Sequence, residues 1–224
     1  MKLYIKTVIG FIVALLIAIS LILINISHVR HNKQFLNTIA YQYHQPFEKT
    51  IQSYNELFSY GMDKREVLIK FSQFLGQATF AQKYTLEQLD KGFKLLMLNA
   101  SSVLKQNPKD VRLYLSYANA LNVYIEVLKY KHTQLFDNCL KKINPLLCFQ
   151  YKNEYDSVFL EVESILLTLL EWSPARADIL FSLANTYLII GDKEKGIKYM
   201  EKGINLISDL KKGKQMQEIL NQIK

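Results

Sequence analysis

Two cysteines and one histidine are the residues whose types best suit a metal site or a disulfide. Cys139 and Cys148 are separated by eight residues, and His132 is the nearest histidine in the sequence. A zinc site needs more ligands at closer spacing, so this set predicts no metal site and no cofactor. Two cysteines also make no disulfide framework. They form a single disulfide if the segment lies in an oxidising compartment, or they are two free thiols.

The segment 191–198, GDKEKGIK, combines glycines and lysines as a phosphate-binding loop does. Such a loop needs lysine directly after its second glycine, then serine or threonine, and a strand before it. Here the lysine comes one residue late, no hydroxyl residue follows it, and a helix is predicted to precede it. The segment therefore predicts a turn between helices and no nucleotide site.

Carboxylates and serines give no catalytic pattern either. Glu161 and Glu163 are two residues apart, and this spacing puts them on different faces of a helix. No serine stands in a Gly-x-Ser-x-Gly turn. The sequence thus supports no catalytic residue, and we expect that the protein is not an enzyme.

The composition favours an all-α chain. Half of the 224 residues are apolar, there are only four prolines, and no alternating strand pattern is visible. The formal charge of +8 is dispersed, without a run of five or six basic residues, so nucleic acid is not an expected partner.

Residues 7–26 form an uncharged apolar stretch. As a helix it would span roughly 30 Å, the thickness of a bilayer core, which predicts a single transmembrane helix. A cleaved signal peptide is the alternative, although the end of the stretch is a poor cleavage site. Lys2 and Lys6 flank one side, and Arg30 and Lys33 the other. We expect the amino terminus inside and the helical domain on the extracytoplasmic side.

The rest of the chain reads as successive amphipathic helices. Proline turns at Pro108 and Pro174 each precede a helix by three residues. The two prolines are 66 residues apart, which is about one helix-turn-helix repeat too long. The surplus residues predict a loop inserted between two helices. The predicted organisation is a tail at 1–6, a transmembrane helix at 7–26, juxtamembrane and packing helices at 27–84, helical repeats at 85–208 with the inserted loop at 132–153, and a C-terminal capping helix at 209–224.

Two predicted helices around the turn Gly191-Asp192, at 177–190 and 193–206, resemble a tetratricopeptide repeat, a helix-turn-helix unit of thirty-four residues. The large, small and turn positions are occupied by Leu180, Leu183, Ala184, Tyr187, Gly191, Gly196, Met200 and Gly203. Tyr114, Tyr117, Ala118 and Leu121 repeat the first part of this register. Gly196 and Gly203 replace the usual alanines, at an expected cost of up to about 1 kcal/mol each. The resemblance implies an α-solenoid of helical hairpins.

Nearly the whole chain also resembles the C-terminal region of bacterial O-antigen ligase and polymerase-like membrane proteins, whose last transmembrane helix leads into such repeats. The similarity lies in Leu23-Ile24-Asn25-Ile26, in Phe58-Ser59-Tyr60-Gly61 with Arg65-Glu66, in Asn107-Pro108-Lys109-Asp110-Val111-Arg112 and in Ser173-Pro174. The many-span portion that carries that family's glycan-transfer chemistry is missing here. The resemblance therefore transfers no catalytic residue.

In tetratricopeptide repeats, the first helix of each repeat lines a concave surface. The positions that face it correspond to Arg112, Leu115, Asn119, Asn122, Asp178, Phe181, Asn185 and Leu188. Amides such as Asn119 and Asn185 can grip the backbone of a bound peptide. The alternative is that both amides are solvated or cap local groups.

These features predict a membrane-tethered scaffold that binds a protein or peptide in this groove. A polytopic glycan-assembly enzyme is the partner that the resemblance implies. The alternative function is an accessory, non-catalytic domain of an O-antigen ligase or polymerase-like enzyme, encoded as a separate chain or cut from a longer one. A third interpretation is a purely structural anchor, which predicts that Arg112, Asn119, Asp178 and Asn185 do not line a common concave surface.

Overall fold

The computed structural model describes residue 20 and residues 29–59, 63–140 and 145–224. Within these ranges the secondary structure is entirely helical, without strands, as the composition predicts. The predicted tail at 1–6 and, apart from residue 20, the predicted transmembrane segment at 7–26 lie outside the described residues. None of the helices in the described part of the chain is both long and apolar enough to cross a bilayer.

The first described helix, α1, covers residues 29–41. The others follow in order as α2 Phe47–Ser59, α3 Lys64–Phe80, α4 Leu86–Gln106, α5 Val111–Leu140, α6 Pro145–Trp172, α7 Ala177–Ile190, α8 Lys193–Asn205 and α9 Leu210–Ile223.

The chain divides into two compact units, unit 1 up to Val67 and unit 2 from Leu68 to Lys224. The division falls within α3, whereas the sequence suggested that the packing helices end at residue 84. Most of α3 therefore belongs to the same unit as α4 to α9.

Unit 1 pairs α1 with α2 around a buried tyrosine. Tyr54 is fully buried, and its hydroxyl donates to Oε1 of Gln42 over 2.6 Å. The Thr50 hydroxyl donates to the Gln42 backbone carbonyl. Gln42, which directly follows α1, therefore accepts two hydrogen bonds from side chains of α2. These bonds fix the turn that brings the two helices together.

Unit 2 is built from helical hairpins. α5 packs along α6, α7 packs along α8, and α5 and α7 are neighbours, while α9 packs on α8. The α7–α8 turn uses Gly191 with a φ of 91°, a left-handed conformation that favours glycine. Asp192 then caps α8 by accepting from the Lys195 amide. Local sequence signals thus determine this hairpin.

Local residues also set both ends of α4. Thr85 and Gln88 form a reciprocal capping box at its start. Gln106 is its last residue, directly before Asn107-Pro108.

The predicted loop at 132–153 differs from the structure. α5 continues to Leu140, and α6 already begins at Pro145. Residues 132–140 contain no glycine or proline to end a helix. Pro145 is the first residue of α6, where its missing N–H breaks no helical hydrogen bond. The extra length between the two proline turns is therefore taken up largely by longer helices.

Candidate functional site

Three of the predicted groove residues line a cleft of about 450 Å³ in unit 2. Arg112, Leu115 and Asn119 contribute one wall from α5, and α3 contributes the other. We call this space the α3–α5 cleft. It is lined by Ser72, Gln73, Gly76, Gln77, Phe80, Arg112, Leu115, Ser116, Asn119, Ala120, Val123 and Arg176.

The α3 wall carries features that suit a ligand. Ser72 is 3% exposed, and its Oγ has no hydrogen-bond partner among the described residues. A side chain at Gly76 would meet no atom within 4 Å of its Cβ. Phe80 is an aromatic side chain that is 72% exposed. A buried polar group left unpaired is costly, and because the Ser72 Oγ is itself inaccessible, a ligand reaches it only if the Ser72 side chain changes rotamer.

The α5 wall is apolar at depth and polar at its edge. Leu115 and Ala120 are buried, whereas Arg112 and Asn119 are exposed. The Asn119 Oδ1 accepts a 2.6 Å hydrogen bond from the Ser182 hydroxyl of α7. This bond occupies the oxygen of the carboxamide and leaves the Nδ2 amide as its donor to a ligand.

Asn122, another predicted groove residue, is a packing link between α5 and α7. It is only 2% exposed, and its Nδ2 donates to Oγ of Ser182 over 3.3 Å. The Thr186 hydroxyl donates to the Asn122 Oδ1 over 2.8 Å. Because these bonds lie in the buried interface, Asn122 holds the two helices together and does not line the cleft.

Asp178 pairs with the arginine that precedes α7. Its carboxylate accepts from Nε and Nη2 of Arg176. The hydrogen bond from Arg176 lowers the pKa of the Asp178 carboxyl, against the opposing effect of burial. Arg176 lines the cleft, and Asp178 does not. Asp178 therefore does not contact the cleft itself but orients Arg176, which lines it.

The remaining predicted groove residues on α7 lie away from the cleft. Phe181 and Leu188 pack with α8, close to Gly203 and Gly196 respectively. Asn185 is exposed and is absent from the cleft lining. The structure therefore brings Arg112, Leu115 and Asn119 together with α3, and leaves Asn122 and the predicted groove residues of α7 outside the cleft.

A network of ion pairs around the buried Asp90 joins α4, α5 and α6. Asp90, 8% exposed, accepts from the Tyr124 hydroxyl over 2.7 Å, from Lys131 over 2.8 Å and from Lys94 over 3.1 Å. Burial alone would raise the pKa of the Asp90 carboxyl, but these three hydrogen bonds outweigh it and its pKa is lowered. Lys94 also pairs with Glu154. The charges balance, so the network stabilises the helix interfaces and offers no unpaired group to a substrate.

The two glutamates rejected as a catalytic pair indeed serve different helices. Tyr117 of α5 donates to Glu161 over 2.8 Å. Tyr187 of α7 donates to Glu163. Each carboxylate of α6 accepts from a tyrosine on one of its two neighbouring helices.

The side chains of Cys139, Cys148 and His132 lie outside the described part of the structure. Among the described residues, no group of three or more His, Cys, Asp and Glu side chains is arranged to hold a metal ion.

The apolar residues of α3 follow the same repeat spacing that the sequence analysis recognised only in the helices now called α5 and α7. Phe71, Phe74, Leu75 and Ala78 have the same spacing as Tyr114, Tyr117, Ala118 and Leu121. In this register Ser72, Gly76 and Phe80 are the counterparts of Leu115, Asn119 and Val123. Applying the repeat to α3 would have found its half of the cleft.

The geometry thus defines an all-helical protein of packed helical hairpins with a cleft between α3 and α5. The sequence matches no model of a known protein family and no curated protein.

Proposed function

We propose that the protein is a membrane-tethered, tetratricopeptide-like scaffold whose α3–α5 cleft binds an extended segment of a partner protein. Binding, without catalysis, is the activity that we assign to it. The observation that carries the proposal is the open space at Gly76, in a cleft whose opposite wall is formed by Arg112, Leu115 and Asn119.

The chemistry of the cleft suits a peptide. Leu115, Ala120 and Val123 offer apolar contacts for side chains, and the carboxamides of Gln73 and Asn119 offer polar contacts for a peptide backbone. Ligand sites in proteins typically combine such an apolar lining with a few placed polar groups.

The length of the cleft limits what it holds. From Ser72 to Phe80 the helix α3 rises roughly 12 Å, at 1.5 Å per residue. An extended chain advances about 3.3 Å per residue, so about four residues fit along this wall. The proposed ligand is therefore a short linear segment with apolar side chains on one face.

The tether rests on residues 7–26, a stretch of twenty uncharged residues in the sequence. We place the helical domain on the extracytoplasmic side of that anchor. A polytopic glycan-assembly enzyme is the partner class that the sequence resemblance implies.

Selection from a displayed library of random ten-residue peptides tests the cleft. The full chain in mild detergent is compared with Gly76→Leu, which fills the cleft, and with Gly213→Leu, a control in α9 where a Cβ meets only Ile207 at 4.0 Å. We expect selected peptides to bind Gly76→Leu at least tenfold more weakly than the wild type and the control. Peptides that bind all three chains equally would contradict the cleft as the binding site.

Photocrosslinking then identifies the partner in native membranes. The exposed Phe80 is replaced by p-benzoylphenylalanine, which keeps an aromatic ring at the cleft edge. We expect a crosslinked protein that disappears when Gly76→Leu is added to the same chain. Extraction of the chain from membranes by carbonate would separately contradict the tether.

A further inference from the structure

Unit 1 contains a second cleft, of about 310 Å³, between α1 and α2. We call it the basic cleft. Arg30 and Lys33 line it from α1, and Lys49 lines it from α2. Among the described residues none of the three forms an ion pair, and the lining includes no aspartate or glutamate.

Three cations in one cleft repel one another unless an anion joins them. Glu56 bonds one of the lining residues, since its carboxylate accepts from Gln34 over 3.2 Å and also from Gln52 over 3.1 Å. It therefore neutralises the cleft only in part. The remaining positive charge favours an anionic ligand.

The uncharged polar groups of the basic cleft indicate which kind of anion it binds. Asn37 and Gln45 supply amides, and Ser53 supplies a hydroxyl whose proton is donated to the Lys49 carbonyl over 3.0 Å. Arginine and lysine bind phosphate oxygens strongly, and amides bind the hydroxyl groups of a polar ester. Phosphate carrying a small polar substituent matches this set better than a bare halide or carboxylate.

Position along the chain points to the source of the phosphate. Arg30 follows Ile26, the last residue of the apolar stretch, by only four residues. Even a fully extended chain covers at most about 14 Å over that distance. If residues 7–26 form the proposed membrane anchor, on which this step depends, Arg30 lies at the level of lipid headgroups.

We propose that the basic cleft binds the phosphate of an anionic phospholipid headgroup through Arg30, Lys33 and Lys49. Binding there would hold unit 1 against the membrane surface. Lysine and arginine side chains close to a membrane surface attract anionic lipids electrostatically.

The test uses the full chain in a neutral detergent and native mass spectrometry. Short-chain phosphatidylglycerol and phosphatidylcholine are added separately to the wild type and to Arg30→Gln/Lys33→Gln/Lys49→Gln. We expect the wild type to retain phosphatidylglycerol about tenfold more tightly than phosphatidylcholine, and the triple variant to lose this preference. The control Lys198→Gln/Lys211→Gln/Lys212→Gln removes three exposed cations from unit 2 and should keep the preference.

Inorganic phosphate and glycerol 3-phosphate distinguish the sources of the anion. If the lipid is the ligand, millimolar concentrations of either should leave phosphatidylglycerol bound. Displacement of the lipid by inorganic phosphate alone would overturn the lipid assignment in favour of a soluble phosphate. Equal retention by the wild type and the triple variant would overturn the site itself.

Circular dichroism checks that the triple variant keeps its helices, as expected for exposed side chains. The peptide selection on Gly76→Leu uses none of these residues, so either proposal can fail alone. Because the added lipid reaches the cleft from solution, loss of the anchor would not by itself abolish lipid binding.

Discussion

The α7–α8 hairpin and the α3–α5 cleft both contain glycines within helices, yet their surroundings are opposite. An added Cβ at Gly196 would lie 2.7 Å from Leu188 atoms, and one at Gly203 would lie 2.8 Å from the Phe181 ring. At Gly76 it would meet nothing within 4 Å. The first pair permits close helix packing, whereas Gly76 keeps a space open.

Buried polar groups show the same contrast. Asp90 accepts three hydrogen bonds where α4, α5 and α6 meet, whereas the Ser72 hydroxyl, which is also buried, has no partner among the described residues. We infer that the cleft is incomplete because its complement is a ligand, and four substitutions test this contrast.

The largest effect is expected for Asp90→Ala. It leaves Lys131 without its buried acceptor and Tyr124 with Glu154 as its remaining acceptor, and should lower the free energy of unfolding by about 3 kcal/mol. The lowered pKa of Asp90 means that the wild type keeps this stabilisation above about pH 3.9 and loses it as the pH falls through the folded-state pKa. Urea unfolding followed by circular dichroism, at pH 7 and in acid, measures the stability lost in the variant and the pH dependence of the wild type. Equal stability of the two chains at pH 7 would contradict the role of the network.

Gly196→Ala should destabilise the α7–α8 hairpin. The added methyl group collides with Leu188 and lies 3.3 Å from the Ala184 carbonyl oxygen. Overpacking outweighs the gain in helix propensity, and we expect a loss of about 1 to 2 kcal/mol in urea unfolding. The double variant Gly196→Ala/Leu188→Ala should show coupling, since the second change provides the missing room. Additive losses would show that Leu188 is not the obstacle.

Gly76→Ala should have the opposite sign. The methyl group enters open space, and alanine favours the helix, so the chain without ligand should gain about 0.5 to 1 kcal/mol. The same denaturation experiment measures the gain. A loss of stability would mean that α3 cannot accept a side chain there, and that the cleft is closed.

Ser72→Ala should have the smallest effect, a gain of about 0.5 kcal/mol without ligand. It removes a buried hydroxyl that lacks a partner among the described residues. Ser182→Ala is the matched control and should lose stability, because Ser182 bonds both Asn119 and Asn122. Peptides selected on the wild type should bind Ser72→Ala more weakly. Unchanged peptide binding would remove Ser72 from the site.

The sequence predicts the local features of the fold well. The bounds of α7, the turn at Gly191 and the cap of α4 follow from periodicity, glycine and capping residues. These signals lie within a few residues of one another, so a single stretch contains all the information. The inserted loop was mispredicted because a repeat length says how many residues are extra but not what structure they take.

The site was harder to predict because it joins distant segments. The second, fifth and ninth positions of α5 are Arg112, Leu115 and Asn119, and all three line the cleft. The same positions of α7 do not, since Phe181 packs with α8 and Asp178 pairs with Arg176. A periodic pattern gives the face of a helix, but the neighbour of that face is set by tertiary packing. The glycines of α8 show the same limit, because their cost in helix propensity is visible in the sequence and the close helix packing is not.

The contact between Trp172 and Tyr114 gives the protein an optical probe. Trp172 is the only tryptophan in the chain, and its ring lies edge-on to that of Tyr114, with centroids 5.4 Å apart. Its fluorescence emission therefore reports whether the end of α6 is packed against α5, within unit 2. Fluorescence excited at tryptophan follows the melting of unit 2, whereas far-ultraviolet dichroism follows the helices of both units. A difference between the two transitions would show the units unfolding one after the other.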